Sequence, residues 1–224
     1  MPNTTNFNWS TPADTDLVKN GASAIRTLGS AIDTSFVDFK GGTTGQVLKK
    51  TSNTDLDVEW GTASSGLTLI NTTSFSAVAS QSINDVFSAT YDNYKIIFSD
   101  LVSTAASSTI TMRLRVSGAD NSDNAYRFGR LVIGAGVSQT LANENNAGTT
   151  AWTIFFASTT KIGAVIDLWQ PFASVPTIGV DFSSGGFFDI RGLNFSNTTS
   201  FTGFSFISNT GDLTGKVSVY GYSK

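Results

Sequence analysis

The sequence contains no cysteine and no histidine, and these two absences remove much of the usual chemistry. Without Cys there is no thiolate nucleophile and no disulfide framework, so stability has to come from packing or from other chains. Without His there is no Ser-His or Cys-His pair, no imidazole base and no usual zinc ligand. An enzyme built on this chain would have to work with carboxylates alone. Charge is scarce too. Charged residues make up 14% of the chain, against about 25% in an average soluble domain, and a net charge of -3 gives no basic field for nucleic acid or an anionic membrane. No apolar run approaches the roughly 18 residues of a membrane span, and the opening "MPNTTNFNWSTPADTD" has no apolar stretch of a secretory signal. The expectation is a chain assembled in a cytoplasm, with no nucleic-acid partner, no membrane insertion, no cofactor and no resident metal.

What is present favours strands. Hydrophobic residues form 40% of the 224, enough for one large or two small cores. Ser, Thr, Asn and Gly dominate the polar remainder. Ser and Asn compete for helical backbone bonds while Thr suits a pleated surface. The chain divides by pattern into residues 1–13, an extended anchor; 14–40, a helical stalk; 41–62, a hairpin neck; and 63–224, a large β domain. "ASSG" at 63–66 is the joint before that domain. The expected fold is mainly β, with a short N-terminal coiled-coil-like stalk, a β-hairpin neck and a C-terminal antiparallel β-sandwich, jelly-roll-like.

In the anchor, Phe7 and Trp9 alternate and so share one face of an extended segment. That face has no core of its own. It is either a frayed terminus or a docking strip for something larger. "TPADTDLVKNGASAIRTLGSAIDTSF" then opens as a helix should, with Thr11 as N-cap, Pro12 at the first helical position, and Asp14 completing a T-x-x-D box. Val18, Ile25 and Ile32 recur at seven and Leu28 falls in the intervening register, a thin apolar seam. Gly21 and Gly29 each cost about 1 kcal/mol relative to Ala, so this helix needs a cover. That cover is either its own domain or further copies of itself, and the seam does not fix how many; Val or Ile at a with one Leu at d leans toward two strands.

The next stretch, "GGTTGQVLKKTSNTDLDVEWGT", reads as a hairpin: Gln46 to Thr51 and Leu56 to Trp60 around "SNTD". Leu56, Val58 and Trp60 line one face, and Asp57 and Glu59 the other, where Lys49 or Lys50 can pair across. A two-stranded hairpin is marginal in water, so the Trp-bearing row also asks for equivalent hairpins or a neighbouring domain.

"NWSTPADTDLVKNGASAIRTLGSAID" followed by "GGTTGQVLKKTSNTDLDVEW" resembles the N-terminal and neck region of bacteriophage fibre proteins, tail fibres and related virion appendages. There a T-P-x-x-T-D-x-V-x-x-G-A-x-A-I-x-x-L element leads into a G-x-T-G-Q-V-L-x-K hairpin. The resemblance covers roughly residues 8 to 61, about a quarter of the chain. It implies a homotrimer fastened to other virion structural proteins of tail, neck or head by its N-terminus, through Phe7 and Trp9. Its distal part would contact a bacterial surface polysaccharide, and its subunit interface would run through Val18, Ile25, Leu28, Ile32, Leu56, Val58 and Trp60.

Beyond residue 66 about ten short runs, from "LTLINTTSFSAV" through "INDVFSAT" and "YKIIFSDL" to "GKVSVYGY", are bounded by Gly, Asn, Ser and Asp. They argue for an antiparallel sandwich, and no helical crossovers lie between them. Arg113 and Arg115 share one face of "TMRLRV", with Arg127 and Arg130 in a nearby run; guanidiniums of this kind either grip acidic groups or form a solvated face. Val165, Asp167 and Trp169 share a face: an aromatic platform beside a carboxylate, or a core or subunit contact. The loops "SGADNSDNAY" and "LANENNAGTT" bring amide and carboxylate groups suited to hydroxyl-rich ligands. The candidate glycan-binding set is Arg113, Arg115, Asp120, Asp123, Tyr126, Asp167 and Trp169. Asp167, Asp181 and Asp189 are the carboxylates that a glycan depolymerase would need, but nothing spaces two of them for catalysis. The expected function is therefore non-enzymatic adhesion by a virion fibre, with a purely structural appendage and a depolymerase as the alternatives.

Overall fold

The β-rich pattern is carried through into the structure, a computed structural model, with 51% of residues in strands and 10% in helix. It describes residues 2–63, 66–133, 140–142, 148–184 and 188–224. The chain forms two compact units, Met1–Ser64 and Ser65–Lys224, divided inside the expected "ASSG" joint. Among the described residues every strand pairing is antiparallel, and no helix is long and apolar enough to cross a membrane.

In the first unit the helix α1 spans Gly21–Ser35, nine residues later than the Thr11 cap predicts. The reason lies in Asp16. Its carboxylate accepts a 2.7 Å hydrogen bond from the amide of Ala13 while its own amide donates to the Ala13 carbonyl, so residues 13–16 close a turn instead of a helix. Leu17 is extended, Val18–Asn20 make one 3-10 turn, and Asn20 caps α1 without a side-chain bond. The stalk's far end is also trimmed: Val37–Phe39 form a second 3-10 turn, and Gly41 and Gly42 follow at positive φ.

The anchor folds back rather than standing extended. Asn3 and Ser10 bridge, and Trp9 donates from its indole to the Ser35 hydroxyl at 3.0 Å, which in turn donates to Ala31. Phe7 stacks on Trp9 at 4.8 Å, Trp9 meets Phe36 and Phe36 meets Phe39. Phe7 and Trp9 thus belong to an aromatic chain on the C-terminal end of α1. The hairpin pairs β1 (Gln46–Lys50) with β2 (Val58–Thr62). Leu56 lies outside β2, at φ 60° in the turn. Lys49 opposes Glu59, their charges 3.1 Å apart. The backbone at Gly42 crosses the indole of Trp60 so closely that a Cβ there would sit 2.7 Å from the ring. Only glycine fits both that approach and its φ of +83°.

The second unit is two sheets. The smaller comprises β4 (Ser80–Ile83), β6 (Ser108–Val116), β7 (Ala119–Asp120), β10 (Trp152–Ala157) and β14 (Gly203–Ser208), ordered β10-β6-β14-β4 with β7 on β6. The larger comprises β3 (Leu67–Val78), β5 (Asn93–Ser103), β8 (Tyr126–Ile133), β9 (Thr140–Ala142), β11 (Ile162–Trp169), β12 (Thr177–Ser184), β13 (Phe188–Phe195) and β15 (Leu213–Tyr222). Its order is β3-β15-β5-β11-β12-β13-β8-β9. One expected strand is absent: most of "INDVFSAT" is loop, with Val86 and Phe87 buried and their amides donating to the Thr202 carbonyl. The side chains are apolar enough for a strand, but their backbone partner is a single carbonyl.

Period-two alternation puts one face of each sheet into a shared core. Phe98 of β5 meets Phe155 of β10 at 5.0 Å and Phe206 of β14 at 5.1 Å, and Phe75 of β3 meets Phe206 at 5.0 Å. Phe98 therefore bridges the layers. Phe98→Ala is expected to destabilise this unit by about 3–5 kcal/mol, read by urea unfolding; a loss below about 1 kcal/mol would show that the layers are not locked through this ring.

Candidate functional site

The arginines expected to act together do not meet. Arg113 and Arg115 face outward from β6 of the smaller sheet, Arg127 faces outward from β8 of the larger, and Arg130 turns inward. Arg115 is consumed locally: it pairs with Asp120, bonds the Gly118 carbonyl and donates to Asn84 at 2.9 Å. Asp120 also accepts from Ser205 at 2.8 Å. Arg113 donates to the Thr150 carbonyl. Asp123 is bridged to Asn121 and Asn197. Tyr126 is not a surface residue: it is fully buried against Trp152 and Phe195, its hydroxyl bonded to Leu114 and Asn121. Burial holds that phenol well above its usual pKa. Inward alternation on β8 takes it there, which the loop-edge reading of "DNAY" overlooked. The middle of "LANENNAGTT", residues 143–147, lies outside the described residues.

Asp167 and Trp169 do share a face, the outer face of the larger sheet. Asp167 is already engaged on both oxygens: Lys95 lies 2.9 Å away, directly opposite on β5, and the Tyr222 hydroxyl donates at 2.6 Å. Burial disfavours the Lys95 ammonium, but the bonds to Asp167 and Tyr222 outweigh it and raise its pKa. Burial and the Asp167 carboxylate raise that of Tyr222. The surroundings are apolar. Ile97, Val165, Phe182, Ile190 and Leu131 stand opposite one another in a single row across β5, β11, β12, β13 and β8. Trp169 pairs with Ile178, which is 48% exposed; Phe182 is 41% exposed. The smaller sheet's outer face is more polar, with Thr109, Thr111, Arg113 and Ser82, though Ile207 stands opposite Thr111 and Phe156 opposite Thr109.

The arrangement that sequence reasoning missed lies inside. Eight strands face a smaller sheet, and the inner face of β12, β13 and β8 is met chiefly by the edge strand β10. There Arg191 is wholly buried, bonded to Asp189 at 2.6 Å, to Asp181 at 3.3 Å and to the Ile154 carbonyl on β10. Arg130 grips Asp189 at two points, 3.0 Å each through Nε and a terminal nitrogen. Both guanidiniums lie on the Phe156 ring, at 4.7 Å and 5.1 Å. "VDF" and "DIRG" carry the signal: Asp181 and Arg191 sit at inward positions of otherwise apolar strands.

Asp181 is the strained member. Its Oδ1 and the Arg191 Nε are buried without a hydrogen-bond partner. Desolvation outweighs the nearby guanidinium and pushes its pKa from 3.8 up to about 8. A raised carboxyl pKa gives stability that is complete below about pH 4 and fades as pH climbs through 8. With no histidine in the chain, few other groups titrate in that interval. The melting temperature should therefore fall between pH 5 and pH 8, and Asp181→Asn should flatten that slope by a few degrees; parallel wild-type and variant curves by calorimetry would refute the assignment.

No protein-family model matches the chain, and no curated protein does. The resemblance carried by residues 8 to 61 rests on its own two motifs.

Proposed function

We propose that the chain is a virion fibre or related appendage protein. In this reading three copies associate through a short coiled-coil-like stalk and hairpin neck. The N-terminal segment docks on another virion protein, and the distal unit, a β-sandwich of jelly-roll-like kind, makes weak, multivalent contact with a bacterial surface glycan. It acts by adhesion and without catalysis.

One observation carries the reading: on α1 Ile25 is 65% exposed and Ile32 37%, with Val18 95% exposed in the 3-10 turn before it, while the adjacent stripe of α1, through Ala24, the half-buried Leu28 and Ser35, is the one turned inward or pinned by Trp9. The single chain spends its intramolecular contacts on that stripe and leaves Ile25 and Ile32 open beside it, as a helix awaiting copies of itself does. The apolar row on the larger sheet supports the same conclusion. Its charges, Lys95 and Asp167, cancel each other, so it can be buried against another copy without stranding an ion. With strands about 4.8 Å apart the patch covers on the order of 300 Å², less than the ~800 Å² per partner of a stable interface. The sheet face alone is therefore too small, and the helical seam has to contribute contact of its own. This reading assigns Asp167 and Trp169 to subunit contact rather than to sugar binding, and leaves Phe7 as the anchor's outward ring.

Light scattering on the whole protein should give three times the 23.7 kDa chain mass. Ile25→Asp combined with Ile32→Asp should reduce it to monomer, with the β-rich unit still folded by circular dichroism. A wild-type monomer would end the oligomeric reading. Retention of the trimer on immobilised bacterial surface polysaccharide is the expected adhesive result; passage without retention would leave a structural appendage.

A further inference from the structure

Beside the buried Arg191 cluster, at the open edge between the two sheets, lies a cavity of about 310 Å³. Phe156 of β10 and Ser158 just beyond it form one wall, Ser107 of the turn before β6 forms the rim, and Arg130, Ser183 and Asp189 of the larger sheet form the other wall. Its size is near the floor of ligand pockets, roughly 300–1,000 Å³, which suits one six-membered ring rather than an extended chain.

The lining is built rather than incidental. Ser183 is only 4% exposed and borders the cavity, and among the described residues its hydroxyl has no hydrogen-bond partner. That hydroxyl is open to the cavity and free to bond a polar guest there, in place of water. Asp189, also 4% exposed, and Arg130 are locked to each other at two points, so a fixed donor plane and a fixed acceptor lie side by side at the wall. Adjacent hydroxyls of a sugar ring present donors and acceptors at that same spacing, and Ser107, Ser158 and Ser183 serve in either role. Phe156 and the neighbouring Ala157 add apolar lining for the C–H groups of such a ring. At the wall Arg130 and Asp189 stand as a pair, while Arg191 is wholly buried behind Asp189 and outside the lining, so the cavity presents no free cation for a carboxylate to contact.

We propose that this cavity binds a single neutral pyranose bearing vicinal hydroxyls. The proposal rests on the adhesive reading above only for the source of the sugar, a residue of a surface glycan; the site itself stands on the cavity and the Ser183 hydroxyl.

The test is saturation-transfer NMR on the full chain with free glucose, galactose and mannose as neutral probes and glucuronate as the charged one, at up to tens of millimolar. At least one neutral ring should receive saturation. Ser183→Ala should weaken it roughly three- to tenfold, the loss of one hydrogen bond. Ala106→Trp, at the exposed rim, should abolish it with the circular dichroism spectrum unchanged. No transfer to any neutral ring, transfer unaltered in both variants, or tighter binding of glucuronate would overturn the proposal. If a ring binds here while the protein ignores bacterial polysaccharide, the adhesive reading fails and the site stands; retention on polysaccharide with an empty cavity means the reverse.

Discussion

A mismatch in width governs the C-terminal unit: a larger sheet of eight strands and a smaller one of five cannot cover each other fully. Where the layers coincide, phenylalanines from both fill the gap. Where β12, β13 and β8 reach past the middle of the smaller sheet, β10 is the strand chiefly over them; one end of that margin stays aromatic, with Tyr126, Trp152 and Phe195, and the other turns ionic. The Arg191 cluster fills that margin with hydrogen-bonding capacity, and the cavity opens at its rim. Replacing such a cluster with apolar side chains of equal volume is often neutral or stabilising. Its presence is therefore no measure of stability.

The N-terminal unit solves a different problem with few residues. Its helix is weakened by two glycines and has no side-chain cap, and what holds it is the Trp9 indole on Ser35 at one end and the closed turn at Asp16 before the other. These clamps use the face of α1 that carries Ala24, Ala31 and Ser35. Leu28 is half-buried on that face, while Ile25 and Ile32 are left on the surface, so the unit is ordered locally and still unsatisfied.

Fold class was legible because alternation in runs such as "YKIIFSDL" and "STITMRLRV" specifies both strand and face; β5 and β6 fall where that pattern places them. The hairpin was legible for the same reason, with Lys49 or Lys50 open to pair across; the register that sets Lys49 against Glu59 comes from the turn. Three things were not. The start of α1 depends on whether Asp16 bonds its own chain, a choice between two local hydrogen bonds of similar strength. The loop at Val86 has the composition of a strand and lacks only a ladder partner, which is supplied or withheld by residues more than a hundred positions away. The Arg191 cluster required knowing that strands distant in sequence become neighbours and which sheet would outgrow the other. Arg130, read as one of a basic group with Arg113 and Arg115, belongs to the opposite sheet and the opposite side of it.

β15 lies between β3 and β5 and is paired with both along most of its length. The larger sheet is thus stitched together by a segment some 140 positions downstream of the strand it holds. During synthesis β3 has no lateral neighbour until residues 213–222 clear the ribosome, and its uncharged edge stays open to the wrong neighbours throughout that wait. Nascent chains of this protein should therefore depend on chaperoning, or on dilution, for most of their time in translation.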